Sequence, residues 1–102
     1  MTETQLKLKV MKMIRKEFPH VWFFKVHDMS RSGLPDLIFC VNGQFGAIEL
    51  KVEGNGPTKL QLHELGQIHK SGGVARVCYS VDEVRREIIL LDNKSLGGKI
   101  YS

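Results

Sequence analysis

Asp36 and Glu49 are the residues of this sequence whose types and placement most suggest chemistry. They lie on either side of Asn42-Gly43, which separates two runs of apolar, β-branched and aromatic residues. Asn-Gly between such runs is the strongest short-range signal of a β-hairpin, because a type I′ turn needs a positive φ at both central residues. A two-residue loop pairs Val41 with Gln44 and therefore sets Asp36 opposite Glu49, whereas a three-residue bulged loop would shift that register.

The facing carboxylates predict a metal site. Directly opposed residues have Cβ atoms roughly 4.5–5.5 Å apart, and like charges at that distance are destabilising without a cation. Lys51 follows Glu49 by two residues and therefore lies on the same face of the strand. Carboxylate oxygens without Cys or His partners favour Mg²⁺ or Mn²⁺ over zinc. The alternative is a surface network in which Lys51 alone offsets the two carboxylates.

Such a site suits the chemistry of phosphate esters. A divalent cation held by oxygen ligands orients and acidifies water and neutralises charge on a phosphate. The ammonium of Lys51 could hold the attacking water or stabilise the negative charge that develops on the phosphate. The residue types therefore indicate metal-assisted hydrolysis.

Composition is ordinary for a globular domain. The chain has 102 residues, of which 42% are hydrophobic and 25% charged, and its net charge of +4 permits nucleic-acid binding without requiring it. No signal-peptide pattern or membrane-length apolar run is present, so we expect a cytoplasmic protein without membrane contact. Cys40 and Cys78 lie in apolar runs, and we expect them to be reduced core residues. We find no linker or repeat and expect one domain over residues 1–102.

The elements that must position the carboxylates follow a clear order. Hydrophobic periodicity, caps and turn residues predict helices at 2–18, 59–70 and 82 to about 91, and strands at 21–27, 35–41, 44–52 and 74–79. The order helix-strand-strand-strand-helix-strand-helix predicts an α/β fold with a central mixed sheet flanked by helices. In the tail, Lys99 to Ser102 could add a short edge strand.

Two other groups of residues are predicted to be structural. Trp22, Phe23 and Phe24 are expected in the core, because a base-stacking platform needs exposed aromatic side chains. The four histidines lack metal-ligand spacing and are expected at the surface or at element boundaries.

Pro35-Asp36 followed by Glu49-Leu50-Lys51 resembles the active-site signature of the PD-(D/E)xK nuclease superfamily, and the element order matches its restriction-endonuclease-like core. Within it, the chain resembles the virus-type replication-repair nuclease (VRR-NUC) domains, whose pattern includes the entry Gly33-Leu34-Pro35-Asp36. A glycine-containing loop and a glutamine on the next helix also belong to that pattern, here Gly54, Gly56 and Gln61. The resemblance covers about residues 3–90 and leaves the tail from 91 to 102 outside it.

The resemblance implies a role for each residue of the motif. Asp36 and Glu49 would be metal ligands, and the backbone carbonyl of Leu50 would be a third. Lys51 would act on the water or the phosphate, and Gln61 would help to position it.

Two further assignments have structural alternatives. Related nucleases commonly add a metal-binding glutamate from the first helix, and Glu3 fits that role because it lies on that helix's apolar stripe. Glu17 shares the stripe at its far end, and acidic residues at a helix start also simply complement the helix dipole. We favour Glu3. Gln61 in turn also fits the capping box begun by Thr58.

DNA contacts are predicted just before the motif and at the start of the second helix. Short hydroxyls, a guanidinium and backbone N–H groups suit a phosphodiester that approaches Asp36. The predicted contact residues are Ser30, Arg31, Ser32, Gly33 and Lys59. The lysines at helical spacing on the first helix are expected to form a solvated outer face: Lys9, Lys12 and Lys16.

The family implies a DNA endonuclease that depends on Mg²⁺ or Mn²⁺ and uses no small-molecule cofactor. Stand-alone VRR-NUC domains resemble Holliday-junction resolvases and act as homodimers, so branched DNA and a homodimer are expected. The resemblance also admits a phage-encoded protein that acts in a bacterial host. Alternatives are a related nuclease of other specificity, such as a nickase or a flap or restriction-type enzyme, and a non-catalytic nucleic-acid-binding module on the same fold.

Overall fold

The chain forms a four-stranded mixed sheet with helices packed against it. A computed structural model describes residues 1–27 and 30–99. The elements follow one another in the predicted order: α1 (Glu3–Glu17), β1 (Trp22–Lys25), β2 (Leu37–Val41), β3 (Gln44–Leu50), α2 (Lys59–Lys70), β4 (Val74–Cys78) and α3 (Val81–Lys99).

The β2–β3 hairpin has the predicted two-residue turn. Asn42 and Gly43 both have positive φ angles, of 50° and 84°. Val41 pairs with Gln44 and Leu37 with Ile48. Continuing this register by one position brings Asp36 opposite Glu49, so the register on which the carboxylate pair depends is confirmed.

The sheet has the order β1-β2-β3-β4. β1, β2 and β3 are antiparallel neighbours, whereas β3 and β4 run parallel. Parallel neighbours need a crossover connection, and α2 supplies it. The helix α2 is the next element after β3, and a hydrogen bond from Gln61 to Glu49 places its first turn near the end of that strand.

The hydrophobic core lies between one face of the sheet and the helices α1 and α3. Alternation along β2 directs Leu37, Phe39 and Val41 into this core. They pack there against side chains of the two helices: Leu6, Val10, Ile14, Val84, Ile88 and Leu91. On β3, Ile48 and Leu50 face the same core, so Glu49 between them points to the opposite face of the sheet.

The prediction that Trp22 and Phe24 are core residues is wrong. They are 56% and 52% exposed, and their rings are stacked on each other with centroids 6.3 Å apart. Both lie on the face opposite the main core, where α2 contacts only β3 and β4 and leaves the edge strand β1 uncovered. Phe23, which points to the other face, packs against the core as expected.

The helix α3 is longer than predicted. It continues past Leu91 to Lys99, because no Gly or Pro interrupts the sequence before residue 97. Asp92 also ties the helix to the hairpin, since it accepts a hydrogen bond of 2.6 Å from Asn42 and lies 3.0 Å from the His20 ring nitrogen. Lys99, predicted to begin an edge strand, instead ends α3, and the residues after it lie outside the described part of the chain.

The remaining structural predictions are confirmed in part. All four histidines are exposed. Cys78 is buried and Cys40 half-buried, and neither forms a disulfide. Burial raises the pKa of the Cys78 thiol to about 12, so it stays protonated. Within the described ranges, no helix is both long enough and apolar enough to cross a membrane.

Candidate active site

Four pieces of the chain meet at one end of the sheet. The residue preceding β2 brings Asp36, the end of β3 brings Glu49, and Lys51 follows directly after that strand. The first turns of α1 and α2 close this end from the two sides of the sheet and bring Glu3 and Gln61.

Asp36 has a partner for each carboxylate oxygen. Its Oδ2 accepts a 2.7 Å hydrogen bond from the backbone N–H of Leu50, on the neighbouring strand. Its Oδ1 lies 3.1 Å from the Nζ of Lys7, on α1. The side chain therefore bridges the end of the hairpin and the first helix.

Glu49 is almost fully buried, at 2% exposure. Its Oε2 accepts a 2.9 Å hydrogen bond from the Gln61 side chain and lies 3.5 Å from the Nζ of Lys51. Its Oε1 is buried and, within the described residues, has no hydrogen-bond partner. Burial above all, and then the neighbouring negative charge of Asp36, raises the pKa of Glu49 from its ordinary value to about 7. A buried oxygen without a partner costs free energy, and a bound proton or cation would remove that cost.

The two candidate helix glutamates have different partners. Glu3 lies at the site, with its Oε1 3.9 Å from the Nζ of Lys51. Glu17 is instead bound in a bidentate pair by Arg85 of α3, at 2.7 and 2.9 Å. Glu3 thus joins the cluster through the lysine, whereas Glu17 stabilises the contact between two helices.

Gln61 completes the expected helix cap and also contacts the cluster. Its Oε1 accepts from the backbone N–H of Thr58, whose hydroxyl accepts from the Gln61 N–H, so the capping box is complete. Its Nε2 donates to Glu49. The cap fixes the glutamine side chain, and the fixed side chain in turn holds one oxygen of Glu49.

The loop before Asp36 is anchored to α2. Arg31 makes a bidentate pair with the buried Glu64, with nitrogen–oxygen distances of 2.6 and 2.9 Å. Gly33 has a φ of +84°, and a Cβ there would lie 2.9 Å from the backbone carbonyl carbon of Leu60. Only glycine therefore suits both this backbone conformation and this close approach.

The other predicted DNA contacts lie at the surface. Ser30, Ser32 and Lys59 are exposed, Gly33 is half-buried, and Arg31 keeps an exposed guanidinium although Glu64 offsets its charge. Arg31 also lines a cavity with Gly43 and Phe45, near the turn of the hairpin. The contact of these residues with DNA stays a prediction.

Two solved structures share this architecture. One, described as "VRR_NUC domain", has a TM-score of 0.69 and 27% identity, over 86% of this chain and 96% of its own. A second, described as "VRR_NUC domain protein", has a TM-score of 0.71 and 21% identity, over 86% of this chain and 85% of its own. The chain has the VRR-NUC fold. No family model and no curated protein matches the sequence.

The VRR-NUC fold supports a nuclease domain of the PD-(D/E)xK type, and nucleases of that type generally use divalent metals. Among the described residues, no three His, Cys, Asp or Glu side chains come together as a ready-made metal cluster. The donors nevertheless fit a hard cation, because Glu49 presents a buried oxygen without a partner beside Asp36. A backbone carbonyl, that of Leu50 being the predicted one, would complete an all-oxygen set.

Two residues of this cluster were not predicted from the sequence. Lys7 was not among the predicted site residues, yet it pairs with Asp36. The available signal was spacing, since Lys7 lies four residues after Glu3 and therefore on the same helix face. Glu64 lies three residues after Gln61 in the same way, and it anchors Arg31.

Proposed function

We propose that the chain is a divalent-metal-dependent DNA endonuclease that hydrolyses phosphodiester bonds. The observation that carries the proposal is the buried Glu49 carboxyl, which has one oxygen without a hydrogen-bond partner and lies beside Asp36 on a VRR-NUC fold. Folding alone gains nothing from two adjacent carboxyls at a half-buried position. A cation held by the two carboxyls would offset that cost, as expected of a metal-dependent hydrolase.

Asp36, Glu49 and the Leu50 carbonyl would hold Mg²⁺ or Mn²⁺. When bound, the ion would acidify a water molecule and neutralise charge on the scissile phosphate. Gln61 acts on the ligand itself, because its hydrogen bond to Oε2 of Glu49 fixes the carboxyl plane. The other oxygen, Oε1, is left for the cation.

Lys51 is the cation that would act on the reacting groups. Its side chain is mostly buried and lies between Glu49 and Glu3, which together restrict the position of its ammonium group. An ammonium has three donors, and those not used by the two glutamates suit a water molecule or a phosphate oxygen. Glu3 then serves to orient Lys51.

The proposed substrate is branched DNA, cut by a homodimer. The residues proposed to contact the phosphate backbone are exposed except for the half-buried Gly33: Ser30, Arg31, Ser32, Gly33 and Lys59. Backbone contacts carry no sequence information, which favours recognition of DNA shape. One candidate site per chain favours a dimer, because symmetric cutting of two strands needs two sites. DNA as substrate and two unpaired cysteines suit a cytoplasmic place of action.

The test is cleavage of a labelled four-way junction in Mg²⁺ by the wild type and by Asp36→Asn. The substitution keeps the shape of the side chain and removes a ligand charge, so we expect cleavage to fall by at least about a hundredfold. Asp82→Asn is the matched control, because Asp82 is an exposed residue of α3. Equal cutting by the wild type and Asp36→Asn would refute the assignment.

The preferred DNA structure is identified by comparing several substrates. Junction, flap, nicked and linear duplex DNA of the same length are compared under one buffer condition, since affinity for DNA depends strongly on salt. Faster cutting of the junction supports the proposal, and preference for another substrate indicates a related nuclease of different specificity. Tight DNA binding by a protein that neither binds Mn²⁺ nor cuts any substrate would indicate a non-catalytic module.

A further inference from the structure

Lys7 is a cation already present at the proposed metal site. Its Nζ lies 3.1 Å from Oδ1 of Asp36, and the two side chains are 22% and 20% exposed. The backbone N–H of Leu50 occupies the other oxygen of Asp36. An incoming divalent ion that uses Oδ1 of Asp36 therefore meets an ammonium in the position it needs.

The two cations cannot share that oxygen at close range. Like charges repel each other strongly when both lie within contact distance of one oxygen, and a divalent ion doubles that repulsion. Asp36 is fixed by the hairpin, whereas Lys7 has a flexible four-carbon stem that reaches solvent. The lysine side chain is therefore the partner that can move.

The other charges at the site also favour displacement of Lys7 from Asp36 when a divalent ion binds. Lys51 already lies near Glu49 and Glu3, so one ammonium serves two of the carboxylates. With Lys7 also in place, the carboxylates at the site are largely neutralised before any metal arrives. Removal of Lys7 from Asp36 restores the negative charge that a divalent ion needs.

We propose that Lys7 is a built-in counter-cation that occupies Asp36 in the metal-free protein and competes there with the divalent ion. It is a positioning residue: it keeps Asp36 paired and the site folded until metal displaces it. The proposal rests on the metal site of the proposed function. It predicts that Lys7 opposes metal binding, which is opposite to the role of a residue that only supports the structure.

The experiment is a calorimetric titration of the full chain with Mn²⁺, without DNA. Lys7→Met keeps the length of the side chain and removes its charge, so we expect Mn²⁺ to bind about tenfold more tightly. Lys7→Arg keeps the charge and can bind Asp36 in a bidentate manner, so we expect Mn²⁺ to bind more weakly than in the wild type. Lys9→Met is the matched control, because Lys9 is an exposed lysine of the same helix and its substitution removes the same charge.

Melting temperatures give a second measurement that does not need activity. In EDTA, Lys7→Met should melt below the wild type because Asp36 loses its ion-pair partner and only Lys51 is left to offset the carboxylates. Saturating Mn²⁺ should raise its melting temperature by more than that of the wild type. If Lys7→Met does not fold, Lys7→Arg decides the question through both measurements. Weaker Mn²⁺ binding with an unchanged melting temperature in EDTA supports the proposal, and weaker binding with a lowered melting temperature contradicts it.

The outcomes separate this proposal from the proposed function. Equal Mn²⁺ affinity in the wild type, Lys7→Met and Lys7→Arg would overturn the role of Lys7 and leave the metal site standing. Weaker binding in both variants would make Lys7 a structural residue and also overturn the proposal. Absence of Mn²⁺ binding by the folded wild type would overturn the metal site and the role of Lys7 together.

Discussion

At the scale of single residues, the site is governed by the cost of burying Glu49. Desolvation disfavours its charged form, and Asp36 adds a like charge nearby. Lys51 and its hydrogen bond act in the opposite direction but do not outweigh burial. The result is a carboxyl whose pKa of about 7 lets it hold a proton near neutral pH, which a bound cation would displace.

This raised pKa predicts an unusual dependence of stability on pH in the metal-free protein. The folded-state pKa, about 7, is above the ordinary value of 4.5, so folded Glu49 keeps a proton that the unfolded chain has lost. The resulting stabilisation is complete below the unfolded pKa, is lost as pH rises to about 7 and is absent above it. At about 1.4 kcal/mol per pKa unit, this amounts to on the order of 3 kcal/mol.

Urea denaturation in EDTA at a series of pH values measures this effect. Glu49→Gln is the control, because the amide keeps the shape and cannot titrate. We expect the difference in unfolding free energy between the two proteins to change between the two pKa values and to be constant above about pH 7. Parallel curves for the two proteins over this range would show that Glu49 titrates normally.

Residue-level prediction from the sequence succeeded where the signal was local. The Asn42-Gly43 turn needs only the positive φ of neighbouring residues, and it fixed the register of Asp36 and Glu49. The pair of Lys7 with Asp36 joins residues of different elements. Helical spacing places Lys7 on the same face as Glu3, but it does not tell which strand end that face meets. Lys51 therefore lies beside Glu49 as expected, whereas the contact of Lys7 was not predicted.

At the scale of elements, the hairpin that sets the register depends on one close contact. Gly46 of β3 pairs directly with Phe39 of β2. A Cβ at Gly46 would lie 2.3 Å from the end of the Phe39 ring, which is fully buried in the core. The absence of a side chain at this position is what lets the aromatic ring fill the space between hairpin and helices.

Gly46→Ala should therefore destabilise the protein by about 1–3 kcal/mol, because the buried ring must move or the strands must separate. Chemical denaturation measures the loss. Gly56→Ala is the control, since a Cβ there meets nothing within 4 Å. The double variant Gly46→Ala with Phe39→Leu should lose less unfolding free energy than the two single variants together, because the smaller side chain leaves room for the new Cβ. A loss equal to or larger than that sum would contradict this account.

Element order could be predicted because each helix and strand carries its own periodicity and caps. The coverage of the sheet could not. Trp22 and Phe24 are of residue types typical of a core. They are exposed because α2 lies over β3 and β4 rather than over β1. That choice follows from the parallel pairing of β3 with β4, which is a property of the tertiary fold.

At the scale of the whole molecule, the described residues of one chain form one candidate site from three parts of its fold. Asp36 and Glu49 come from the hairpin, Lys7 from the first helix and Gln61 from the second. No piece of this cluster needs a second chain. A dimer is therefore not required to build the site, and its proposed purpose is to bring two complete sites to one DNA branch.

This purpose predicts how a supercoiled plasmid that extrudes a cruciform is cut. A dimer with two sites should linearise the plasmid within one binding event, so that linear DNA appears without prior accumulation of nicked circles. A large excess of Asp36→Asn should place most wild-type chains in mixed dimers with one active site. The same plasmid should then accumulate as nicked circles.

The ratio of nicked to linear plasmid, compared at equal consumption of substrate, decides between the two assemblies. Independent monomers would cut the strands in separate events, so nicked circles would accumulate with the wild type alone. Added Asp36→Asn would then slow the reaction without changing that ratio. Such a result would remove the dimer from the proposal while leaving the nuclease site intact, because the site's residues all come from one chain.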